Sequence, residues 1–208
     1  MIHDLAVRLA AIIVAELKTE ERRNVIAYGL EIIIGAAVKL FFFTALPLIL
    51  GVFPQVIAAA LAGGVFRLAA GGAHCTAYYR CLITSLATFI GAGELARSLA
   101  GYSLPREEIV IAATAWSFAV AWRWAPADTP AKPISNPQRR RFLRVASLTI
   151  GIVYCAAGLL APVRMDFILA ASLGLFIQAF TVTPAGYRFI QAVDRLLSRP
   201  VKFPAGAS

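Results

Sequence analysis

The chain has 208 residues, of which 60% are hydrophobic and only 15% charged, which is too apolar for an ordinary soluble domain, whose apolar share is nearer half. The formal charge of +9 at first suggests nucleic acid, but the basic residues sit at the ends of apolar runs and no soluble basic domain carries them. Membrane orientation accounts for them, and no nucleic-acid partner is expected.

Residues 1–24 form the first expected unit. Asp4, Arg8, Ala11, Ala15, Lys18 and Arg22 recur at helical spacing on one side, with Leu5, Leu9, Ile12 and Ile13 on the other. That pattern predicts an amphipathic helix in the membrane interface. Charges from Asp4 onward do not suit a cleaved signal peptide, so the segment is expected to stay attached.

Residues 25–190 are expected to form a membrane-embedded domain. With roughly 20 apolar residues needed per crossing, the length allows about six. The apolar runs place them near residues 28–50, 54–72, 82–100, 107–124, 143–161 and 167–187. The fold class is thus all-α, a polytopic helical bundle of about six transmembrane or re-entrant helices. The turns Gly51-Val52-Phe53-Pro54, Leu104-Pro105-Arg106 and Ala161-Pro162-Val163 separate successive pairs. The second and third crossings look weak, the third being interrupted by Glu94 and Arg97, and re-entrant or tilted paths are allowed for them. Residues 191–208 are expected to be a cytoplasmic tail.

Sixteen of the twenty Lys and Arg residues fall on one side of this scheme. The other side takes Arg97, Arg106 and Arg164, and Lys39 lies within the first crossing. The positive-inside rule then predicts a multi-pass membrane protein with both termini cytoplasmic. It also puts the stretch from Arg67 to Cys81 at the cytoplasmic end of the second and third crossings. Lys39 at membrane depth would cost about 2.5 to 3.5 kcal/mol on insertion scales, so it is expected to face protein or water.

The stretch Arg67-Leu-Ala-Ala-Gly71-Gly72-Ala-His74-Cys75-Thr-Ala-Tyr-Tyr-Arg80-Cys81 is the most informative. It carries the only histidine besides His3. A histidine takes a proton near neutral pH and a thiol attacks only as thiolate, so His near Cys is a minimal base and nucleophile. Arg67 and Arg80 are candidates to hold a thiolate or bind a carboxylate. A straight helix would separate His74 and Cys81 by about 10.5 Å along its axis, beyond a hydrogen bond. A dyad therefore requires His74 to sit in the turn broken by Gly71 and Gly72, folding back towards a Cys81 at the start of the next helix. Cys75 is less suited, because adjacent helical side chains diverge by about 100°. The bland alternative is a glycine-rich turn with His74 bonded to a carbonyl and the cysteines packed as small hydrophobes. The three cysteines, Cys75, Cys81 and Cys155, match neither a disulfide framework nor a zinc pattern, and no metal or organic cofactor is implied.

The pattern Arg67-x3-Gly71-Gly72-x-His74-x6-Cys81-x3-Ser85 resembles the signature of the accessory gene regulator B family of bacterial quorum-sensing peptidases. The stretch from Ala125-Pro126 through Asp128 and Lys132 to Pro133-Ile134 resembles that family's cytoplasmic loop. Tyr28-Gly29-Leu30-Glu31-Ile32-Ile33 resembles its first crossing, and Thr183-Pro184-Ala-Gly186-Tyr187 its C-terminal end. The resemblance implies His74 as general base and Cys81 as nucleophile of a cysteine endopeptidase. Such an enzyme trims a small amphipathic propeptide at its C-terminal side and helps close a thiolactone or lactone ring.

Ser85, one helical turn beyond Cys81, is a candidate to orient the site or stabilise an oxyanion; a bond to an upstream carbonyl is the alternative. Asp128 is a candidate third member behind His74, with a loop-start role favoured by its Asp-Thr-Pro setting. Lys132, Arg139, Arg140 and Arg141 are candidates to attract anionic lipid and an acidic substrate, orientation alone being the other reading. A homodimer is the default symmetric assembly. The rival functional class is a transporter or channel with Lys39, Glu94 and Arg97 along a polar path and the glycines as a hinge, or else a noncatalytic scaffold.

Overall fold

A computed structural model of the chain describes residues 2–17, 23–128 and 134–198. Among these the chain is helical, with no strand and one isolated backbone bridge between Gly71 and Ala127. It divides into two compact units between Leu50 and Gly51.

The first unit holds α1 (Ile2–Leu17) and α2 (Arg23–Ile49). Ala6 and Ala10 are fully buried, while Leu5, Leu9 and Ile12 stay exposed on the α1 face expected to meet lipid. In α2 the Lys39 ammonium lies 5.6 Å from the centre of the Phe43 ring, a cation–π contact one turn along the helix.

The second unit holds α3 (Phe53–Ala70), α4 (Tyr78–Leu99), α5 (Arg106–Trp124), α6 (Pro137–Leu160), α7 (Met165–Phe180) and α8 (Pro184–Ser198). Local chemistry sets the helix ends. Pro54 opens α3, and Gly71 at φ 74° closes it, a conformation that costs an L side chain but not glycine. Asn136 caps α6, its side-chain oxygen accepting from the Gln138 and Arg139 backbone N–H groups at 2.9 and 3.3 Å. Glu107 and Glu108 at the start of α5 and Arg123 at its end suit the helix dipole.

Helix α7 packs most closely on α3. A side chain at Gly174 would run into the Ala59 carbonyl, and one at Gly63 would meet the Gly174 carbonyl oxygen at 2.8 Å. Such small residues let backbones approach where lipid removes the hydrophobic drive between helices. Phe66, Val120, Leu175 and Val182 form one buried cluster with Ala70, Ala121, Ala125 and Ala179, while Ala59, Ala92, Ala96, Leu169 and Ala170 form another.

Among the described residues three helices, α2, α3 and α6, are each long and apolar enough to cross a membrane, and a fourth span results if α7 and α8, bent by 91° at their junction, count as one. The expected second crossing is therefore a continuous qualifying helix. Helix α4 is also continuous but carries Arg80, Glu94 and Arg97. Glu94 and Arg97 pair with each other at 2.8 Å.

The chain breaks of the second unit gather at two ends. At one end the α3–α4 stretch, the α5–α6 stretch and the α7–α8 junction are tied together: Ala127 donates its N–H to the Ala70 carbonyl at 2.8 Å, and Ala73 donates to Thr181 at 3.0 Å. At the other end Arg106 donates to the carbonyls of Gly158 in the last turn of α6 and of Ala161 and Val163 in the α6–α7 turn. Buried Asp166 there accepts from Gln55 Nε2 at 2.8 Å and from Arg164.

Candidate active site

The site lies at the first of these ends. His74 sits in the non-helical stretch 71–77 and Cys81 in the first turn of α4, so the straight-helix separation does not apply. The bend requires both glycines: Gly71 has φ 74° and Gly72 φ 134°. A side chain on Gly71 would strike the Ala127 carbonyl, and one on Gly72 would come within 2.6 Å of Thr181 Oγ1.

Arg67, in the last turn of α3, organises the bend. Its Nη2 donates to the Ala73 carbonyl at 2.8 Å and lies 3.0 and 2.9 Å from Nδ1 and Nε2 of His74. A neutral imidazole offers one acceptor nitrogen, and with both ring nitrogens in reach the guanidinium edge holds the ring whichever tautomer it carries. Arg67 Nη1 donates to Gln178 Oε1 at 3.2 Å. The guanidinium also interacts electrostatically with the Cys81 thiol and the Tyr187 hydroxyl. Arg67 therefore addresses both members of the expected dyad. The imidazole of His74 is exposed, and Cys81 is half-buried.

Cys75 is half-buried, 3.8 Å from the Thr84 hydroxyl. Burial pushes its thiol up, which the Thr84 contact partly offsets, so the neutral thiol is favoured there. Ser85 lies one turn beyond Cys81 on α4 and is half-buried. Cys155 is half-buried in α6.

Arg80 does not face an open anion site. It donates to Asp194 Oδ1 at 2.9 Å and to Thr76 Oγ1 at 3.1 Å. Asp128 accepts from the Ile134 N–H at 3.1 Å and from Arg140 at 3.2 Å. The Ile134 bond, with Arg140 beside it, holds the Asp128 carboxyl below the usual carboxylate range. These are loop-closing contacts.

Beside the bend is an open cavity of about 340 Å³ whose lining includes Gly72, His74, Asp128, Asn136 and Arg139. It brings the glycine turn and the α5–α6 loop into one recess. Arg140 and Arg141 are exposed in the first turn of α6. Lys132, like His3 and Arg22, lies outside the residues whose side chains are described. Among the described residues no cluster of three or more His, Cys, Asp or Glu is placed to hold a metal ion.

Sequence reasoning missed Gln178, Thr181 and Asp194. Gln178 Nε2 donates to the Gly71 carbonyl at 3.0 Å and to Thr181 Oγ1 at 2.9 Å, so one amide holds both Arg67 and the glycine turn. The signal was present: a glutamine in the otherwise apolar run of α7 needs a partner at membrane depth.

The sequence model for accessory gene regulator B matches residues 6–182. The chain belongs to the accessory gene regulator B family. A protein named as AgrB-like from Clostridium perfringens strain SM101 is 22% identical over 212 residues, covering 96% of this chain and 99% of that protein. One from Listeria innocua is 23% identical over 172 residues, covering 83% of this chain and 82% of that protein. No solved structure matches the chain. Membership of the accessory gene regulator B family implies a multi-pass membrane protein involved in quorum-sensing peptide processing. The matched segment spans the glycine bend, His74, Cys81 and the α5–α6 loop, and ends before Asp194.

Proposed function

We propose that the chain is a membrane-embedded cysteine endopeptidase in which Cys81 is the nucleophile and His74 the general base. The substrate in this reading is a small amphipathic propeptide, cut at its C-terminal side and closed to a thiolactone or lactone. The observation that carries it is Arg67, whose guanidinium contacts the His74 ring at 2.9 Å and interacts with the Cys81 thiol. One cation thus holds the base at the bend that leads to the nucleophile.

The reaction balances on these groups alone. His74 takes the Cys81 proton, and the thiolate attacks the scissile carbonyl. His74 returns the proton to the leaving amine, so the tail departs and a thioester on Cys81 remains. A cysteine or serine side chain within the bound peptide then gives its proton to His74 and attacks the thioester, closing the ring, and His74 passes that proton to the departing Cys81 thiolate. Because the attacking side chain belongs to the same peptide as the thioester, that attack has the advantage of proximity over water. We further assign the site end to the cytoplasm, since Arg67, Arg80, Arg123 and the Arg139 to Arg144 group belong to that end, and both termini likewise from the surplus of Lys and Arg on one side of the sequence.

The test uses full-length protein in liposomes with a synthetic amphipathic peptide bearing an internal cysteine and an acidic tail. Release of the tail is expected from the native chain, and hydroxylamine should intercept the thioester, releasing the peptide from Cys81 as a hydroxamate. Cys81→Ala and His74→Ala are expected to abolish release while the protein stays folded. Undiminished release by Cys81→Ala would end the peptidase reading. Loss of activity on neutralising Lys39 or Glu94, with Cys81→Ala unaffected, would favour transport.

A further inference from the structure

We propose that Asp194 is a positioning residue for this chemistry, a carboxylate on α8 that clamps the segment joining His74 to Cys81. The inference rests on the peptidase reading and adds a residue beyond the segment matched to the family, which ends at 182.

Helix α4 begins without a cap of its own. Its N-cap position is Ala77, which has no side-chain acceptor for the first turn, although the opening N–H groups of a helix need one. Asp194, a carboxylate on another helix, instead ties down Thr76, the residue just before that cap position. It accepts from the Thr76 backbone N–H at 3.2 Å, from the Thr76 hydroxyl at 2.8 Å and from Arg80 at 2.9 Å. Arg80 also donates to the Asp194 carbonyl at 3.3 Å.

These bonds bracket the connection. Thr76 follows His74 by two residues and Arg80 immediately precedes Cys81, so one carboxylate fixes both ends of the path between base and nucleophile. Arg67 holds the other side of the bend through the Ala73 carbonyl. Cys81 is then set by two independent clamps, one from α3 and one from α8. Asp194 is the single acid in α8 and is only 7% exposed, whereas Arg188, Phe189, Arg195 and Leu196 of the same helix are exposed. A carboxylate held inward on a helix with cationic and apolar outer residues needs charge-assisted partners. The partners it has are those that shape the site.

A positioning role predicts damage to turnover without equal damage to binding. The test compares native, Asp194→Ala, Asp194→Asn and Asp194→Glu proteins, full length in liposomes, using the synthetic peptide above and N-ethylmaleimide. For Asp194→Ala, kcat is expected to fall on the order of 10- to 100-fold, the loss typical of a reacting group displaced by about 1 Å, with KM nearly unchanged. Asp194→Glu should recover most of that loss, and Asp194→Asn should fall between. Because Cys75 adjoins Thr76, its alkylation relative to Cys81 should rise in Asp194→Ala and return to the native ratio in Asp194→Glu. A native kcat in Asp194→Ala, or a loss in all three variants with a lowered unfolding midpoint and no recovery by Glu, would overturn the assignment. A Cys81→Ala control separates the two ideas: if it still cleaves, the peptidase reading fails, and if it is inactive while Asp194→Ala is native-like, only the clamp fails.

Discussion

Substituting Gly72 by alanine tests the bend directly. The residue sits at φ 134°, where an L side chain costs on the order of 1 to 3 kcal/mol. The added Cβ would lie 2.6 Å from Thr181 Oγ1, 3.0 Å from Gln178 Nε2 and 3.2 Å from Arg67 Nη1. Relief requires the Thr181 hydroxyl to move, breaking its bond to the Gln178 carbonyl and the bond it accepts from Gln178 Nε2. At about 0.5 to 1.5 kcal/mol each, these losses bring the total to roughly 2 to 6 kcal/mol. Removing the hydroxyl by Thr181→Ala eliminates the contact part but leaves the backbone part. The double variant should therefore be less damaged than the sum of the singles, with a coupling energy of about 1 to 3 kcal/mol. The assay is reversible unfolding in detergent or bicelles for the four members of the cycle, with tail release measured alongside. Strict additivity, or a Gly72→Ala variant as stable as the native chain, would refute the account of the bend.

Arg67→Lys should also impair the site, because an ammonium lacks the planar fork that reaches Gln178, Ala73 and His74 together. Losing one charge-assisted bond at about 1.5 to 3 kcal/mol predicts turnover down by roughly 10- to 100-fold, and turnover within threefold of native would contradict it. For the α5–α6 loop the sign follows from Asp128, whose folded carboxyl is held low by the Ile134 N–H and Arg140. Its contribution is complete above the unfolded value near pH 4 and is lost as pH falls through the lower folded value. Hydrogen exchange at the Ile134 amide should therefore accelerate, relative to its intrinsic rate, on acidification below about pH 4. Asp128→Asn should remove that pH dependence.

Much of the helical frame was legible because apolar runs and turn residues act locally. Ala161 to Val163 falls between observed helices, as do Gly51-Val52 and Leu104-Pro105, with Phe53 and Arg106 opening the helices that follow. The expected start of the fifth crossing near residue 143 came late, since α6 opens at Pro137 under the Asn136 cap and carries its arginines in solvent-exposed first turns. A hydropathy reading discards such charged turns although the helix continues through them. The 91° junction between α7 and α8 was invisible for a related reason: Thr181, Val182 and Thr183 are unremarkable in composition, and the bend is sustained by hydroxyl bonds to the Gln178 and Phe180 carbonyls. His74 and Cys81 could be singled out by their chemistry. Gln178 and Asp194 could not be assigned partners, since their contacts cross separations of more than 100 residues.

The two ends of the second unit show why the bend can persist. At the far end, Arg106 satisfies carbonyls of the α6–α7 turn, and Asp166 is enclosed by Gln55 and Arg164. At the site end Arg67, Gln178 and Thr181 likewise bond in a chain that also holds the irregular backbone, and Asp194 pairs with Thr76 and Arg80, as groups near lipid must. The difference is that this network surrounds a turn with two glycines at positive φ and opens onto a recess. A turn of that kind survives only when the surrounding structure over-determines it. The close packing of α3 on α7 through Gly63, Gly174 and Ala59 supplies that rigidity directly beneath Arg67 and Gln178, which stand on those same two helices. The small residues deep in the bundle and the polar residues at its end are therefore one device: the first fixes the distance between two helices, and the second uses that distance to hold a histidine and a cysteine on either side of a bend.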